Sequence, residues 1–404
     1  GSARMTDTPQ NKAKAGNLPS RPPPWNDPVI RAIFFQVVAV ALLVWFFWTI
    51  FDNTLTNMEN RGIKTGFGFL DQTAGFGILM SLIPYNETNS YGRTFLVGLL
   101  NTLLVSGLGI VLATILGFVL GIARLSNNWL IARIATVYVE VLRNIPLLLQ
   151  ILFWYFAVLA SMPSLRDSVN IGDAIFINNR GIVVPTPILG EGFDLVIIAF
   201  FVAIAAAWVM ARWARRRFEA TGQPFHTIWA SIGLIVGLPL VAFLAAGLPL
   251  TLEYPELGRF RFNGGTQIIP ELLALLIALS MYTAAFIAEI VRAGIVSVSH
   301  GQTEAARALG LRAGPTLRLV IIPQAMRVII PPLTSQYLNL TKNSSLATAI
   351  GYPDLVSVFA GTTLNQTGQA VEIIAMTMAV YLLISLTISF FMNWYNRRKA
   401  LVER

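Results

Sequence analysis

Apolar residues gather along this chain into long runs separated by shorter polar stretches. The runs are Ile30–Phe51, Thr94–Ile122, Ile134–Ala160, Phe193–Ala211, Ile228–Gly247, Ile268–Val291, Met326–Ile350 and Val371–Trp394. A helix needs about 20 apolar residues to cross the hydrocarbon core of a bilayer. The pattern therefore predicts an all-α integral membrane protein with about eight transmembrane helices. The seventh run is the weakest, because it holds Pro331, Pro332, Asn339 and Lys342.

The runs differ in kind. The first (IRAIFFQVVAVALLVWFFWTIF) is bulky and aromatic, as befits a peripheral helix facing lipid. The second carries Gly98, Gly107, Gly109, Gly117 and Gly121, and small residues let helix backbones approach closely inside a bundle. Runs four and five hold no embedded charge and are joined by a basic loop, which suggests an inserted hairpin. Residues 1–29 are polar and proline-rich, hence a disordered tail on composition, and GSARM at its start resembles a cloning remnant before a start at Met5.

Charge sets the direction of the spans. Only 12% of residues are charged, about half the share of a soluble domain. Arg and Lys crowd onto residues 124–133, 212–227 (with RWARRR), 292–324 and the terminal NRRKALVER. They are sparse in the alternate loops, 52–93, 161–192 and 249–267, and absent from 351–370. By the positive-inside rule both termini are cytoplasmic. The net charge of +9 thus marks membrane sidedness first, and RWARRR reads as a topology anchor, with a lipid-headgroup or nucleic-acid role as the alternative. The chain has no Cys and only two His, far apart, so neither a disulfide nor a metal site is expected.

Ionisable groups inside a bilayer are costly and mark candidate sites. Glu140 and Arg143 stand at i and i+3, as do Glu289 and Arg292, so each pair can meet on one helix face. Lys342 lies in SQYLNLTKNSSLATA, a polar stretch after a proline pair; such a segment is tolerated where protein or a water-filled cavity covers it. Lys342, Asn339, Ser344, Ser345 and Glu289 are the candidate pathway residues. Lys342 has two open readings: it meets a substrate carboxylate, or it neutralises Glu289. No G-x-S-x-G elbow or G-x-x-x-x-G-K-[ST] phosphate loop is present, so no catalytic residue is assigned and ATP hydrolysis by this chain is not expected.

The stretch EAARALGLRAGPTLRLVIIPQ is polar and basic between two apolar runs. Thr303 suits a helix N-cap with Glu304 in the first turn, Gly310 suits the left-handed C′ position, and Gly314-Pro315 suits a turn. On these grounds the stretch is either a surface connector or a helix that enters a groove on another protein. EAARALG followed by IIPQA resembles the coupling-loop signature of permease subunits of ATP-binding-cassette importers. NTLLVSGLGIVLATILGFVLGIARLS, YVEVLRNIPLLLQ and QYLNLTKNSSLATAIGYPDL are similar to the polar amino-acid subgroup. The resemblance runs from Arg93 to Trp394, interrupted by 161–267, and the extra first span and inserted hairpin resemble a large permease of a bacterial general L-amino-acid system.

That resemblance implies a type I importer permease core over 94–394. An extra N-terminal helix (30–51) and a periplasmic loop (52–93) precede it, the helix pair is inserted at 161–267, the coupling loop spans 292–325, and a cytoplasmic tail covers 395–404. It implies Glu304, Ala305, Ala306 and Gly310 as ATPase-coupling residues in a multi-pass protein of the bacterial inner membrane. The implied partners are an ABC ATPase dimer, a second permease subunit and a periplasmic amino-acid-binding protein. ATP-Mg would sit on the ATPase and no cofactor on this chain; the implied cargo is glutamate, glutamine, aspartate or asparagine. An ion-coupled secondary transporter is the alternative, weakened by the absence of a detectable inverted repeat.

Overall fold

A computed structural model describes residues 28–60, 62 and 65–399. Two separately packed units result, 1–66 and 67–404. Residues 1–27 and 400–404, most of the expected tails, lie outside the described residues. In the first unit, helix α1 (Pro28–Asn60) extends the first apolar run at both ends, so Pro28 and Val29 are already helical. Trp45, Phe47 and Trp48 are exposed along it, as suits a face turned to lipid.

The second unit begins with a short 3-10 turn, Phe67–Asp71, and helix α2 (Tyr91–Ala123). Ser90 caps α2 by accepting from the Arg93 N–H, one of the four donors a helix start leaves free. Helix α3 (Trp129–Asn144) is capped by Asn128, which accepts from Leu130 and Ile131. The third apolar run is not one straight span. Ile145 is extended (φ −98°, ψ 128°), and α4 (Leu147–Leu152), continued by wide π-type turns over Phe153–Leu159, leaves α3 at 106°. Proline pushes the preceding residue out of the helical region, so Pro146 breaks the run.

The segment from 161 to 267 holds more than a helix pair. Strands β1 (Val169–Ile171), β2 (Ile175–Asn178) and β3 (Gly181–Val184) form an antiparallel meander, and β4 (Thr186–Leu189) leads into α5 (Phe193–Thr221). After α6 (Thr227–Ala245), β5 (Leu250–Glu253) returns to pair with β4, and β6 (Glu256–Leu257) pairs with β7 (Phe262–Asn263). Strand β8 (Thr266–Ile268) closes on β3 through Ile182↔Ile268 and Val184↔Thr266. Because β3 precedes α5 and β8 precedes α7 (Pro270–Val296), both helices start on the sheet side of the molecule. The α5–α6 turn therefore lies on the opposite side, with the end of α7.

The remaining α-helices are α8 (His300–Ala308), α9 (Ala313–Thr316), α10 (Ile322–Asn343), α11 (Leu364–Thr367) and α12 (Ala370–Lys399), with a 3-10 segment at Ser344–Ile350 and wide π-type turns at Leu317–Ile321 and Val356–Thr363. The core centres on α7, where Leu275, Ala278, Leu279, Ala284, Ile287 and Ala288 are fully buried. Helix α2 lies directly on it. A Cβ on Gly117 would sit 2.6 Å from that of Ile287, and one on Gly121 2.8 Å from the Ala288 carbonyl, so only glycine allows this approach. Helix α10 packs on α7 and α12 around Ile329, Leu333 and Leu340. The α5–α6 hairpin instead packs mainly on itself, through Ala203 and Ala207.

Candidate functional site

The connection from α7 to α10 folds as a short, exposed helix with a small profile. Ser299, not Thr303, takes the N-cap position (φ −59°, ψ 141°), and its carbonyl accepts from the Gln302 N–H at 3.0 Å. The helix thus starts at His300, and Thr303 and Glu304 lie inside it rather than at its start. His300 Nδ1 meets Glu304 Oε1 at 3.0 Å, an i,i+4 pair the earlier start makes available. Gly310 adopts φ +79° and its N–H donates to Arg307 O at 2.9 Å. A Cβ there would meet nothing within 4 Å. Its glycine is required by backbone conformation, not by space.

The faces of α8 are unequal. Glu304, Ala305 and Ala308 are exposed, and Leu309 is 82% exposed beside them. Ala306 is 3% exposed and faces the rest of the chain. Of the four coupling candidates, Glu304 and Ala305 are thus available to another protein, Gly310 shapes the exit, and Ala306 is a packing residue. Gln324 Nε2 donates to Gln302 Oε1 at 3.3 Å, tying α8 to the start of α10. Gly314 and Pro315 do not form a turn but lie in α9, where proline in a first helical turn costs no hydrogen bond. Wide π-type turns at Leu317–Ile321 carry the helix on past Pro323, which has no N–H to give.

At the end of α7 stands a charge cluster that joins three helices. Glu289 accepts from Arg124, the residue that caps the end of α2, and from Arg292 Nη2 at 2.5 Å, and lies 3.9 Å from Arg143 Nη1 of α3. Glu140 reaches Arg124 at 4.0 Å. The expected Glu289–Arg292 pair forms, but Glu140 and Arg143 each take partners on other helices. The Arg143 guanidinium also lies 5.2 Å from the centre of the Phe286 ring. Glu289 is therefore not Lys342's counter-ion. At 1.5 Å per residue, Lys342 lies about 30 Å along α10 from Ile322, towards the other side of the membrane.

Lys342 is exposed and lines a cavity of about 360 Å³ with Ser345, Val356, Thr377, Met378 and Tyr381. Asn339 is exposed one turn earlier. Ser344 does not share this space: it is fully buried, donates to Thr341 O at 2.7 Å and receives Ser106 Oγ of α2 at 3.5 Å. Beside it lies a polar clamp that local sequence does not announce. Asn101 Nδ2 donates to Pro353 O at 2.8 Å, Tyr352 Oη to Asn101 O at 3.0 Å, and the Leu355 N–H to Thr102 Oγ1 at 3.0 Å. Buried Asp354 accepts from the Ser357 N–H at 2.8 Å. The clamp fixes GYPDL against α2, where a Cβ on Gly98 would come within 2.9 Å of Leu355 Cα. Its faint mark in the sequence is an Asn-Thr pair set between leucines in an otherwise apolar run. Among the described residues, no group of acidic or histidine side chains has the arrangement of a metal site.

Comparison with known proteins bears on what this arrangement serves. Residues 199–401 match the family model described as "Binding-protein-dependent transport system inner membrane component". The chain is 58% identical to the putative amino-acid ABC transporter permease protein YhdX of Escherichia coli K12, over 94% of this chain and 96% of that protein. It is 55% identical to the general L-amino acid transport system permease protein AapQ of Rhizobium johnstonii, over 94% of each. The glutamate/glutamine/aspartate/asparagine transport system permease protein BztB of Rhodobacter capsulatus is 46% identical over 94% of this chain and 96% of its own length. Such coverage leaves too little chain outside the alignments to omit the α5–α6 hairpin, so these relatives share it. Among solved structures, an amino acid ABC transporter with histidines aligns at a TM-score of 0.44, with 22% identity over 76% of this chain and 95% of that one. The multi-pass helical architecture, the α8 loop and the relatives together leave nothing in favour of an ion-coupled carrier: this chain belongs to the binding-protein-dependent inner membrane components, among the amino-acid ABC transporter permeases.

Proposed function

We propose that the chain is one of two permease subunits of an importer that carries polar L-amino acids into the cell, powered by ATP-Mg hydrolysed on a separate ATPase dimer. Both termini, α8 and the α5–α6 turn face the cytoplasm, and the small sheets face the periplasm, as the arginine and lysine bias requires. A periplasmic amino-acid-binding protein delivers the cargo. The observation that carries the reading is α8. Its exposed face is small, it ends on a glycine with positive φ, it follows α7 after three residues, and it is hydrogen-bonded to the start of α10. Such a helix suits a groove on the ATPase, and closure of that partner would tilt α7 and α10 between two states.

Lys342, Asn339 and Ser345 line the translocation path in this reading, with Lys342 meeting the cargo's carboxylate as a compact cation. Glutamate, glutamine, aspartate and asparagine are the cargo to test first, following the name of the Rhodobacter relative. The test is uptake of each labelled amino acid into proteoliposomes holding this chain, the second permease, the ATPase and the binding protein. ATP-dependent uptake that needs every component is the expected result; uptake driven by an ion gradient without ATPase would refute the reading. In the same vesicles Lys342→Met is expected to lower uptake about tenfold, the equivalent of about 1.4 kcal/mol, with an unchanged yield of assembled complex.

A further inference from the structure

The end of the inserted hairpin carries a concentration of positive charge that the transport reading does not use. Arg212, Arg215, Arg216 and Arg217 fall within six residues at the end of α5, and Glu219 is the one carboxylate between Arg212 and His226. All four arginines are exposed. Glu219 lies 3.4 Å from Arg215, and Arg217 donates to Gln223 Oε1 at 3.1 Å. The contrast with the end of α7 is direct, since there two glutamates are set among three arginines.

Helical spacing sorts these groups. Residues three and four apart share a face, so Arg212, Arg215 and Arg216 form one cationic face, with Trp208 a turn below. The Arg212 guanidinium lies 3.8 Å from the centre of the Trp208 ring, which holds its charge in place. Down the same stripe come Ile204 and Phe201, both exposed. Around the turn stand Trp213, Phe225 and Trp229, all exposed, and Trp and Tyr concentrate at the level of lipid headgroups. An apolar stripe, an aromatic ring and three exposed arginines thus follow one another along a single helix face. An acidic protein surface would complement the arginines alone; a phospholipid complements the whole stripe, with acyl chain, glycerol and phosphate in that order.

We propose that this face of α5 binds anionic phospholipid, its phosphate held by Arg212, Arg215 and Arg216 and its acyl chain laid along Trp208, Ile204 and Phe201. Guanidinium is the cation suited to phosphate, through its planar fork of donors. The proposal rests on α5 and α6 spanning the bilayer, and not on which amino acid is carried.

The test uses the full chain with its partner subunits, extracted in a polymer that retains native-like lipid from membranes of phosphatidylcholine and phosphatidylglycerol. Phosphatidylglycerol is expected to be enriched around the wild-type complex over the bulk membrane. Arg212→Gln, Arg215→Gln and Arg216→Gln together are expected to lower that enrichment at least twofold, and the corresponding lysine triple to retain most of it. Unchanged enrichment in the glutamine variant overturns the proposal. Unchanged enrichment with loss of the ATPase subunit would assign the face to protein docking instead. Should the glutamine variant fail to insert, Trp208→Phe, which keeps every charge, decides. The fluorescence lost on this substitution is expected to be quenched more strongly by tail-brominated phosphatidylglycerol than by tail-brominated phosphatidylcholine, and equal quenching overturns the proposal.

Discussion

The α2–α7 pair and the α5–α6 pair are both apolar helix pairs long enough to cross a membrane, yet they are built to opposite ends. Helix α7 is less apolar than α5 or α6, and it is the one that is buried. Lipid tails are as apolar as leucine, so apolarity gives helices no reason to associate in a bilayer. Close approach and paired polar groups do. The α2–α7 pair has both, in Gly117 and Gly121 and in the Glu289 cluster. The α5–α6 pair meets through alanines, leaves its large side chains exposed and its charge at one end in excess. One pair is the packed scaffold of the unit; the other is an attachment that packs mainly on itself.

The comparison breaks most readily at the glycines. Gly121→Val places a branched side chain where a Cβ alone would come within 2.8 Å of the Ala288 carbonyl. Such overpacking costs about 3 kcal/mol, so loss of folded chain in detergent is expected. Gly233→Val in α6, where a Cβ meets nothing within 4 Å, is expected to leave the yield unchanged. Equal losses would mean that the two pairs are not different in kind. The charge cluster comes next. Glu289→Gln strips three arginines of their shared partner, with a cost of about 2 kcal/mol for a partly buried charged hydrogen bond. A lower melting temperature of the purified complex is the expected reading, while Glu219→Gln on α5 is expected to leave it unmoved.

The smallest effect is expected from the largest deletion. Leu189 pairs with Leu250, and Gly190 N lies 3.0 Å from Pro249 O, so a two-residue Asn-Gly turn joining Leu189 to Leu250 can replace the whole hairpin. The remaining core is expected to melt within about 4 °C of the wild type, the equivalent of about 1 kcal/mol. A complex that no longer assembles would show that the hairpin belongs to the scaffold.

Much of this was legible in the chain. Each apolar run became helix, because span length and apolarity are written in consecutive residues. Gly310 was legible for the same reason: a helix end with positive φ leaves a local mark. Pro146 was equally local, and its effect followed from the rule for residues before proline, but a long apolar run hides a bend since lipid solvates both halves alike. The strands of the insert are two to four residues long, too short for an alternating pattern to stand out. The partners of Glu289 and the Asn101–GYPDL clamp join residues far apart in sequence, and only packing brings them together. Thr303 is the expected N-cap, yet the cap lies four residues earlier at Ser299, because serine and threonine both favour that position and residue type alone does not fix the start.

The central claim is that the exposed face of α8 is where an ATPase subunit drives this permease. The chain contains no cysteine, so one introduced thiol reports one position. Ala305→Cys and Ala306→Cys are adjacent on α8, the first exposed and the second 3% exposed. In the assembled complex, a short thiol-to-amine cross-linker is expected to join the Ala305→Cys chain to the ATPase subunit and to leave the Ala306→Cys chain unjoined. Cross-linking from neither position, with the complex intact and hydrolysing ATP, would contradict the account, as would equal cross-linking from both.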